Sequence, residues 1–228
     1  MSKEKLIDFL SQQSLFQSIT TPDLEKISSL AYPQDFQQGE ILFLENEPGN
    51  CLYLIRRGWV KIAKISSEGR EKALAILGSG DCLGELALLD GKGRSAMAQA
   101  LTPVETFCIN SDDFKRLLDH YPRISRALIP VLTARIRRAN KEIENLIFYD
   151  VQTRMFSFFL EHGKLINNEI VVPRLPHREI ASILGTSRET VTRFLGELTQ
   201  KGAIELKQKQ LILKEEAIRQ ISKKDLFL

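Results

Sequence analysis

The chain has little with which to cross a membrane, hold a metal or break a covalent bond. No apolar run approaches the ~20 residues that span a bilayer. The opening stretch MSKEKLIDFLSQQ is polar and amphipathic, without the apolar core of a signal peptide, so a cytoplasmic location with no membrane partner is expected. Cysteine is scarce. Cys51, Cys82 and Cys108 stand singly in apolar, strand-like context, no C-x-x-C pair exists, and buried thiols rather than zinc or iron–sulfur ligands are expected. His120, His162 and His177 are isolated as well, so no metal or haem is expected. Paired carboxylates and a nucleophile beside a base are also missing, which argues against an enzyme. Charge of one sign is not in large excess: the 228 residues carry a formal net charge of +3.

The distribution of that charge is uneven. Residues 1–150 hold 19 Lys/Arg against 20 Asp/Glu, whereas residues 151–228 hold 13 against 9. The basic half also carries the most informative stretch, PHREIASILGTSRETVTRFLGELTQK at 176–201. Ile180, Ile183 and Leu184 recur at helical spacing, and Gly185 stops that helix because glycine accepts the positive φ of a helix end. Ser187 can cap a second helix by accepting the N–H of Thr190, whose buried face is Val191, Leu195 and Leu198. Arg188, Glu189, Thr192 and Arg193 are left outside, near the N-terminus. There, Arg can fork to guanine O6/N7 and Glu can accept from cytosine N4. The bland alternative is a helical hairpin with a solvated charged face, against which the local basic excess weighs.

Upstream the pattern changes twice. Residues 2–30 read as helical with a break near Ser18–Pro22 and a helix start at Thr21-Pro22. From about 32 to 110, short apolar runs (Glu40–Leu44, Cys51–Ile55, Trp59–Ile65, Ala73–Leu77, Ala96–Ile109) alternate with glycine turns, which predicts an antiparallel barrel or jelly roll of about eight strands. Residues 111–147 return to helix, starting at Ser111. Leu132, Ile136, Ala139, Ile143 and Leu146 repeat at 4, 3, 4, 3 spacing, a heptad seam suited to a two-stranded coiled coil; packing on its own barrel is the alternative. Phe148–Asp150 bridges to a new helix with Asp150 as cap. Ala203–Leu206 and Leu211–Leu213 can pair as a wing, and a short helix is expected around Ala217–Ile221.

Within the barrel, GELALLDGKGRSAMAQA at 84–100 carries the chemistry. The amides at Gly84–Glu85 can point at an anion. Arg94 supplies a charged fork for a phosphate, Ser95 a hydroxyl beside it, and Glu85 an acceptor for a sugar hydroxyl. An internal Arg94–Glu85 salt bridge over the turn is the structural alternative.

Both segments, and nearly the whole chain in its order of parts, resemble the Crp/Fnr family of cyclic-AMP receptor protein and fumarate-nitrate regulator. G-E-L-A-L-L…G-R-S-A is similar to that family's phosphate-binding cassette, and S-R-E-T-V-x-R at 187–193 to its recognition helix. The resemblance implies an α+β fold: an N-terminal cyclic-nucleotide-binding β jelly-roll barrel (1–120), a long dimerisation helix and hinge (121–150) and a C-terminal winged helix-turn-helix (151–228). It implies an effector site of Gly84, Glu85, Leu86, Arg94, Ser95, Ala96, Ile62, Leu74, Ala139 and Asn140, with Glu85 on the ribose 2′-hydroxyl and Arg94 on the cyclic phosphate. Its DNA-contact set is Ser187, Arg188, Glu189, Thr192, Arg193, His177 and Arg178. The implied protein is a homodimeric transcription regulator gated by a cyclic nucleotide, cyclic AMP first, that binds a double-stranded operator and works with RNA polymerase. Crp-like members carry Arg where Arg188 stands, which implies a palindrome of TGTGA-type half-sites. Two features depart from the family's pattern: Ala139-Asn140 replaces the Thr-Ser pair that contacts adenine, and the Fnr-type cysteine cluster is missing. Two other readings remain: the same DNA-binding function with a non-nucleotide effector or none, and a cyclic-nucleotide-binding regulatory subunit of a partner enzyme.

Overall fold

The computed structural model describes residues 3–173, 175–208 and 210–214. They divide into two compact units: Met1–Lys64 with Ala73–Arg138, and Ile65–Lys72 with Ala139–Leu228. No helix among the described residues is long and apolar enough to cross a membrane.

The first unit opens with two helices, α1 (Lys3–Gln12) and α2 (Thr21–Ser28). Thr21 is the first residue of α2, as the helix start at Thr21-Pro22 predicts. The preceding Thr20 holds the cap position, its Oγ1 donating to Asp23 Oδ2 at 2.9 Å. Eight strands follow: β1 (Ala31–Phe36), β2 (Ile41–Phe43), β3 (Cys51–Arg57), β4 (Val60–Ile65), β5 (Glu71–Leu77), β6 (Cys82–Leu83), β7 (Met97–Ala100) and β8 (Val104–Asn110), with helix α3 (Glu85–Asp90) between β6 and β7. They form two four-stranded sheets, ordered β1-β8-β3-β6 and β2-β7-β4-β5. The single run expected over Ala96–Ile109 is two strands, because Pro103 in its middle has no N–H for a ladder.

The apolar run of β3 is continuous because both its faces are covered. Cys51, Tyr53 and Ile55 join Phe36, Phe43, Val60, Leu83 and Val104 in the barrel core. Leu52 and Leu54 face a second core made with Leu10, Phe16, Leu24, Ile27, Phe114 and Leu117. Burial of such side chains contributes ~1.5–3 kcal/mol each, and this double packing fixes the strand that faces the turn between β6 and β7.

The helix expected over 111–147 is two: α4 (Ser111–His120) and α5 (Pro122–Phe148). Pro122 explains the break. It disfavours helical ψ at the residue before it, and Tyr121 sits at φ −124°, ψ 79°. Proline is itself at home in the first turn of α5. Along α5 the seam residues Ile136 (62% exposed) and Ile143 (55%) are left bare by their own chain, which disfavours the alternative in which that helix packs on its barrel.

In the second unit, α6 (Val151–His162) starts where Asp150 Oδ1 accepts the N–H of Thr153 at 2.7 Å. After it come β9 (Lys164–Ile166), β10 (Glu169–Pro173), α7 (His177–Leu184), α8 (Arg188–Gln200), β11 (Ile204–Leu206) and β12 (Gln210–Leu213). The wing joins a four-stranded sheet, β11-β12-β10-β9. The β9–β10 hairpin, not anticipated from sequence, turns on Asn167 (φ 51°) and Asn168 (φ 64°). Two asparagines in left-handed conformation between paired runs are a type I′ signal. The helix expected around Ala217–Ile221 lies outside the described residues.

Candidate functional site

The turn from β6 into α3 needs glycine. Gly84 has φ +87°, and a Cβ there would fall 2.3 Å from Arg94 Nη1 and 3.1 Å from the Cys51 carbonyl oxygen. The bare backbone lets Arg94 approach. Its Nη1 donates to Gly84 O at 2.8 Å and its Nη2 to Cys51 O at 2.9 Å. The guanidinium lies over the Phe43 ring, 4.3 Å from its centroid, with Tyr53 at 5.8 Å, a cation–π seat strengthened by exclusion of water. Its backbone is pinned on both sides, Arg94 N to Glu47 O at 2.8 Å and Asn46 N to Arg94 O at 2.9 Å. Arg94 is 3% exposed, yet its buried Nε has no hydrogen-bond partner among the described residues.

Glu85, the first residue of α3, is fully buried. Its Oε1 accepts from Arg135 Nη1 of α5, while Arg135 Nη2 donates to Cys82 O at 2.5 Å. The second carboxylate oxygen, Oε2, is buried without a partner among the described residues. Burial holds this carboxyl above the usual carboxylate range, with the nearby Arg135 charge pulling the other way. The salt bridge weighed for this turn, Arg94 to Glu85, therefore gives way to another arrangement: the carboxylate pairs with Arg135, and Arg94 with two carbonyls.

Arg135 was not singled out from the sequence, where it reads as a charged flank of the heptad seam. Its place one turn before Ala139, on the same face of α5, was the available signal. Of the other expected residues, Ala96 is buried and Ile62 is half-buried against the barrel core. Ser95 and Leu86 are exposed beside the turn. Leu74 is 44% exposed. On β5 it alternates with Ala75 and Leu77, which pack on the core, so period-two alternation turns it away from Arg94. Ala139 and Asn140 are exposed on α5 and belong to the second unit.

In that second unit Gly185, at φ +65°, ends α7, and Thr186 N closes the turn on Ala181 O at 3.0 Å. Ser187 Oγ caps α8 by accepting from Thr190 N at 3.1 Å. Val191, Leu195 and Leu198 are buried with Phe194. That packing leaves Ser187, Arg188, Glu189, Thr192 and Arg193 exposed together at the start of α8. Its free N–H groups and the Ser187 hydroxyl hold the Glu189 carboxyl below the usual range, so it is an acceptor at neutral pH. His177 Nδ1 lies 2.8 Å from Thr192 Oγ1, tying the start of α7 to this face. Arg178 is exposed, its Nε 3.3 Å from Glu179 Oε1.

Comparison with known proteins meets this geometry at both ends. The cyclic nucleotide-binding domain family matches residues 33–121, and the Crp-like helix-turn-helix domain family matches residues 153–221. The chain is 32% identical over 213 residues, 91% of it and 95% of the relative, to a CRP-like cAMP-activated global transcriptional regulator of Mycobacterium tuberculosis. The chain belongs to the Crp/Fnr family. It is also 31% identical to the cyclic AMP receptor protein of Thermus thermophilus (84% of this chain, 88% of that one) and 30% identical to the global nitrogen regulator of Synechococcus elongatus (78% and 83%). In fold it is similar to the regulator CLP of Xanthomonas campestris, with a TM-score of 0.77 at 23% identity over 86% of this chain and 99% of that one. Crp/Fnr membership makes the chain a DNA-binding transcription regulator with a cyclic nucleotide-binding domain, not an enzyme.

Removing Arg135 leaves a buried carboxylate unpaired. Arg135→Ala is expected to cost about 1.5–3 kcal/mol of stability, the scale of a hydrogen bond to a charged group. Without Arg135 the folded-state pKa of Glu85 rises further. A raised carboxyl favours the fold below its unfolded pKa and loses that contribution as pH climbs through the folded value. Chemical denaturation should therefore show a larger penalty for the variant at pH 8 than at pH 5; an equal penalty at both would refute the pairing.

Proposed function

We propose that this regulator is a cytoplasmic homodimer gated by a cyclic nucleotide, cyclic AMP first. The proposed parts are the sensor at 1–120, the dimerisation helix and hinge at 121–150 and the reader at 151–228. One observation carries the effector reading: Glu85 Oε2 and Arg94 Nε are buried polar atoms with no partner among the described residues, beside one glycine turn. Orphaned buried acceptors and donors cost free energy unless a ligand or water meets them. A ribose hydroxyl would satisfy Glu85 and a cyclic phosphate Arg94, so these residues fit the group. Relatives named as cAMP-activated regulators support the choice of nucleotide.

The exposed row Ile136, Ile143 and Leu146 supports a two-fold seam along α5. A dimer of that kind would set two copies of α8 about 34 Å apart, in successive major grooves of a palindrome. Arg188, Glu189 and Arg193 would read a TGTGA-type half-site, with Ser187, Thr192, His177 and Arg178 beside them; RNA polymerase is the proposed further partner.

A specific observation also favours a second reading, a non-nucleotide effector or none. Arg94 Nη1 and Nη2 and Glu85 Oε1 are already satisfied by the chain itself, and Ala139 has no hydroxyl to offer a base. A thermal-shift panel of cyclic AMP, cyclic GMP and cyclic di-GMP separates the two, silence across it favouring the second.

Calorimetry with cyclic AMP tests the first directly. Arg94→Leu is expected to lose binding while circular dichroism shows the fold retained; unchanged affinity rejects the phosphate role. Glu189→Ala should relax discrimination at one base pair by ~1–3 kcal/mol rather than weaken all DNA equally, which site selection would display as one altered column. Ile136→Lys with Ile143→Lys should sediment as a monomer and lose operator affinity; an intact dimer would place the seam elsewhere.

A further inference from the structure

One hydroxyl on the exposed face of α8 is held by the helix that packs beside it. His177, Ile180, Ala181 and Leu184 lie along one stripe of α7. Ile180, Ala181 and Leu184 are buried in the same core as Val191 and Leu195 of α8. The stripe therefore turns the His177 ring toward α8, where its Nδ1 lies 2.8 Å from Thr192 Oγ1. Threonine in a helix commonly bonds back to the carbonyl one turn earlier. Thr133 does so to Ile129 O and Thr199 to Leu195 O, each at 2.8 Å. Thr192 meets an imidazole instead. The neighbouring Thr190 hydroxyl is 3.1 Å from Ser187 Oγ, within the helix cap. Thr192 is exposed beside Arg188, Glu189 and Arg193, the residues proposed above to read base edges.

We propose that His177 is a positioning residue: it sets the hydrogen-bonding polarity of the Thr192 hydroxyl, and with it the base that Thr192 reads in the major groove. The inference rests on the reader role proposed for α8. A hydroxyl has one proton to donate and lone pairs to accept with. When Nδ1 carries no proton it accepts the Thr192 O–H, and the oxygen faces the groove as an acceptor. It then suits the amino group of adenine N6 or cytosine N4. When both ring nitrogens carry protons, Nδ1 donates to Thr192 Oγ1. The threonine proton then points outward and suits guanine O6 or N7, or thymine O4. A neutral ring can supply the first arrangement; the imidazolium cannot. Protonation of His177 therefore removes the acceptor state of Thr192 and leaves the donor state.

Histidine ordinarily changes charge between about pH 5 and 8, so the preference at this one position follows pH. The charged and titratable groups around the pair are Arg178 and Glu179 on α7 and Arg188, Glu189 and Arg193 on α8. Helix α6, which also packs on α7, brings Arg154, Glu161 and His162. The arginines disfavour the charged ring, whereas the carboxylates and the phosphates of DNA favour it. Glu189, held below the usual carboxylate range, stays charged across that interval, so its own base contact does not change with pH. His162, the other histidine of this unit, lies with its Nδ1 3.0 Å from Phe158 O and serves as an internal control.

The test is site selection with the full-length protein at pH 8.5 and pH 5.5, followed by affinities for the selected operator with each base pair of a half-site exchanged in turn. One position is expected to lose its preference for an amino-presenting base at the lower pH, by about three- to tenfold, the span of one net hydrogen bond. The positions read by Arg188 and Glu189 keep theirs. His177→Asn retains a polar partner without a titrating ring, and Thr192→Val retains the shape without the hydroxyl. Each should abolish the shift while circular dichroism shows the fold retained, and His162→Asn should leave it in place. A shift that survives Thr192→Val, or a pH effect equal for all sequences, overturns the proposal. A motif with no pH-dependent position overturns it alone. Selection that returns no motif at either pH removes the reader role of α8, and this inference with it.

Discussion

Two opposite charges, Glu85 and Arg94, are taken out of water beside one glycine, and they do not neutralise each other. Removing an ion from water costs several kcal/mol in a protein interior. Each charge is compensated separately: the carboxylate by Arg135, the guanidinium by two backbone carbonyls and the Phe43 ring. Both compensations depend on the backbone passing close at Gly84, where any side chain would collide with Arg94. The strand pair β3 and β8, buried on both faces, supplies the rigid wall. Among the described residues one oxygen of Glu85 and one nitrogen of Arg94 are left without a partner.

The exposed face of α8, the proposed DNA contact, is built on the opposite principle. There the apolar positions Val191, Phe194, Leu195 and Leu198 use up one side of α8, and the charged residues lie outside because nothing covers them. Gly185 and Ser187 set the angle between the helices through backbone conformation and one cap, both local effects.

That difference governs what could be read from the chain. The two helices, their glycine, the cap at Ser187 and the apolar face follow from local periodicity, and the structure shows them. So do the runs that become β2 to β5, and Asp150 as the start of α6. What escaped was non-local or masked by a competing signal. Arg135 looked like one more surface charge of a coiled-coil flank, since nothing in its neighbours reveals that Glu85 is buried against it. The break at Tyr121 was overridden by the helical composition on either side, although Pro122 marked it. Leu74 was placed by resemblance; the structure puts it on the outer face of β5, one residue from the core-facing Ala75. The β9–β10 hairpin was hidden by its brevity and by the exposed Leu165 and Ile166, which suggest no buried strand.

The pairing of Glu85 with Arg135 also sets a rotation. Successive residues on an α-helix are about 100° apart, so anchoring Arg135 through two hydrogen bonds fixes the direction in which Ile136 points. Ile143 follows seven residues later with a drift of only about 20°, and Leu146 lies near the same stripe. The bare row of α5 is therefore aimed by a contact on an adjacent face of the same helix. A ligand group that drew Glu85 away from Arg135 would not need to touch the seam to alter it. It would release a polar anchor that holds this stretch of the helix against rolling, and the apolar row would settle by its own packing against whatever covers it. Rolling is cheap in hydrophobic terms, because a stripe of isoleucine and leucine tolerates small changes of angle. The polar anchor is directional, so of the two it is the one that small changes of angle weaken.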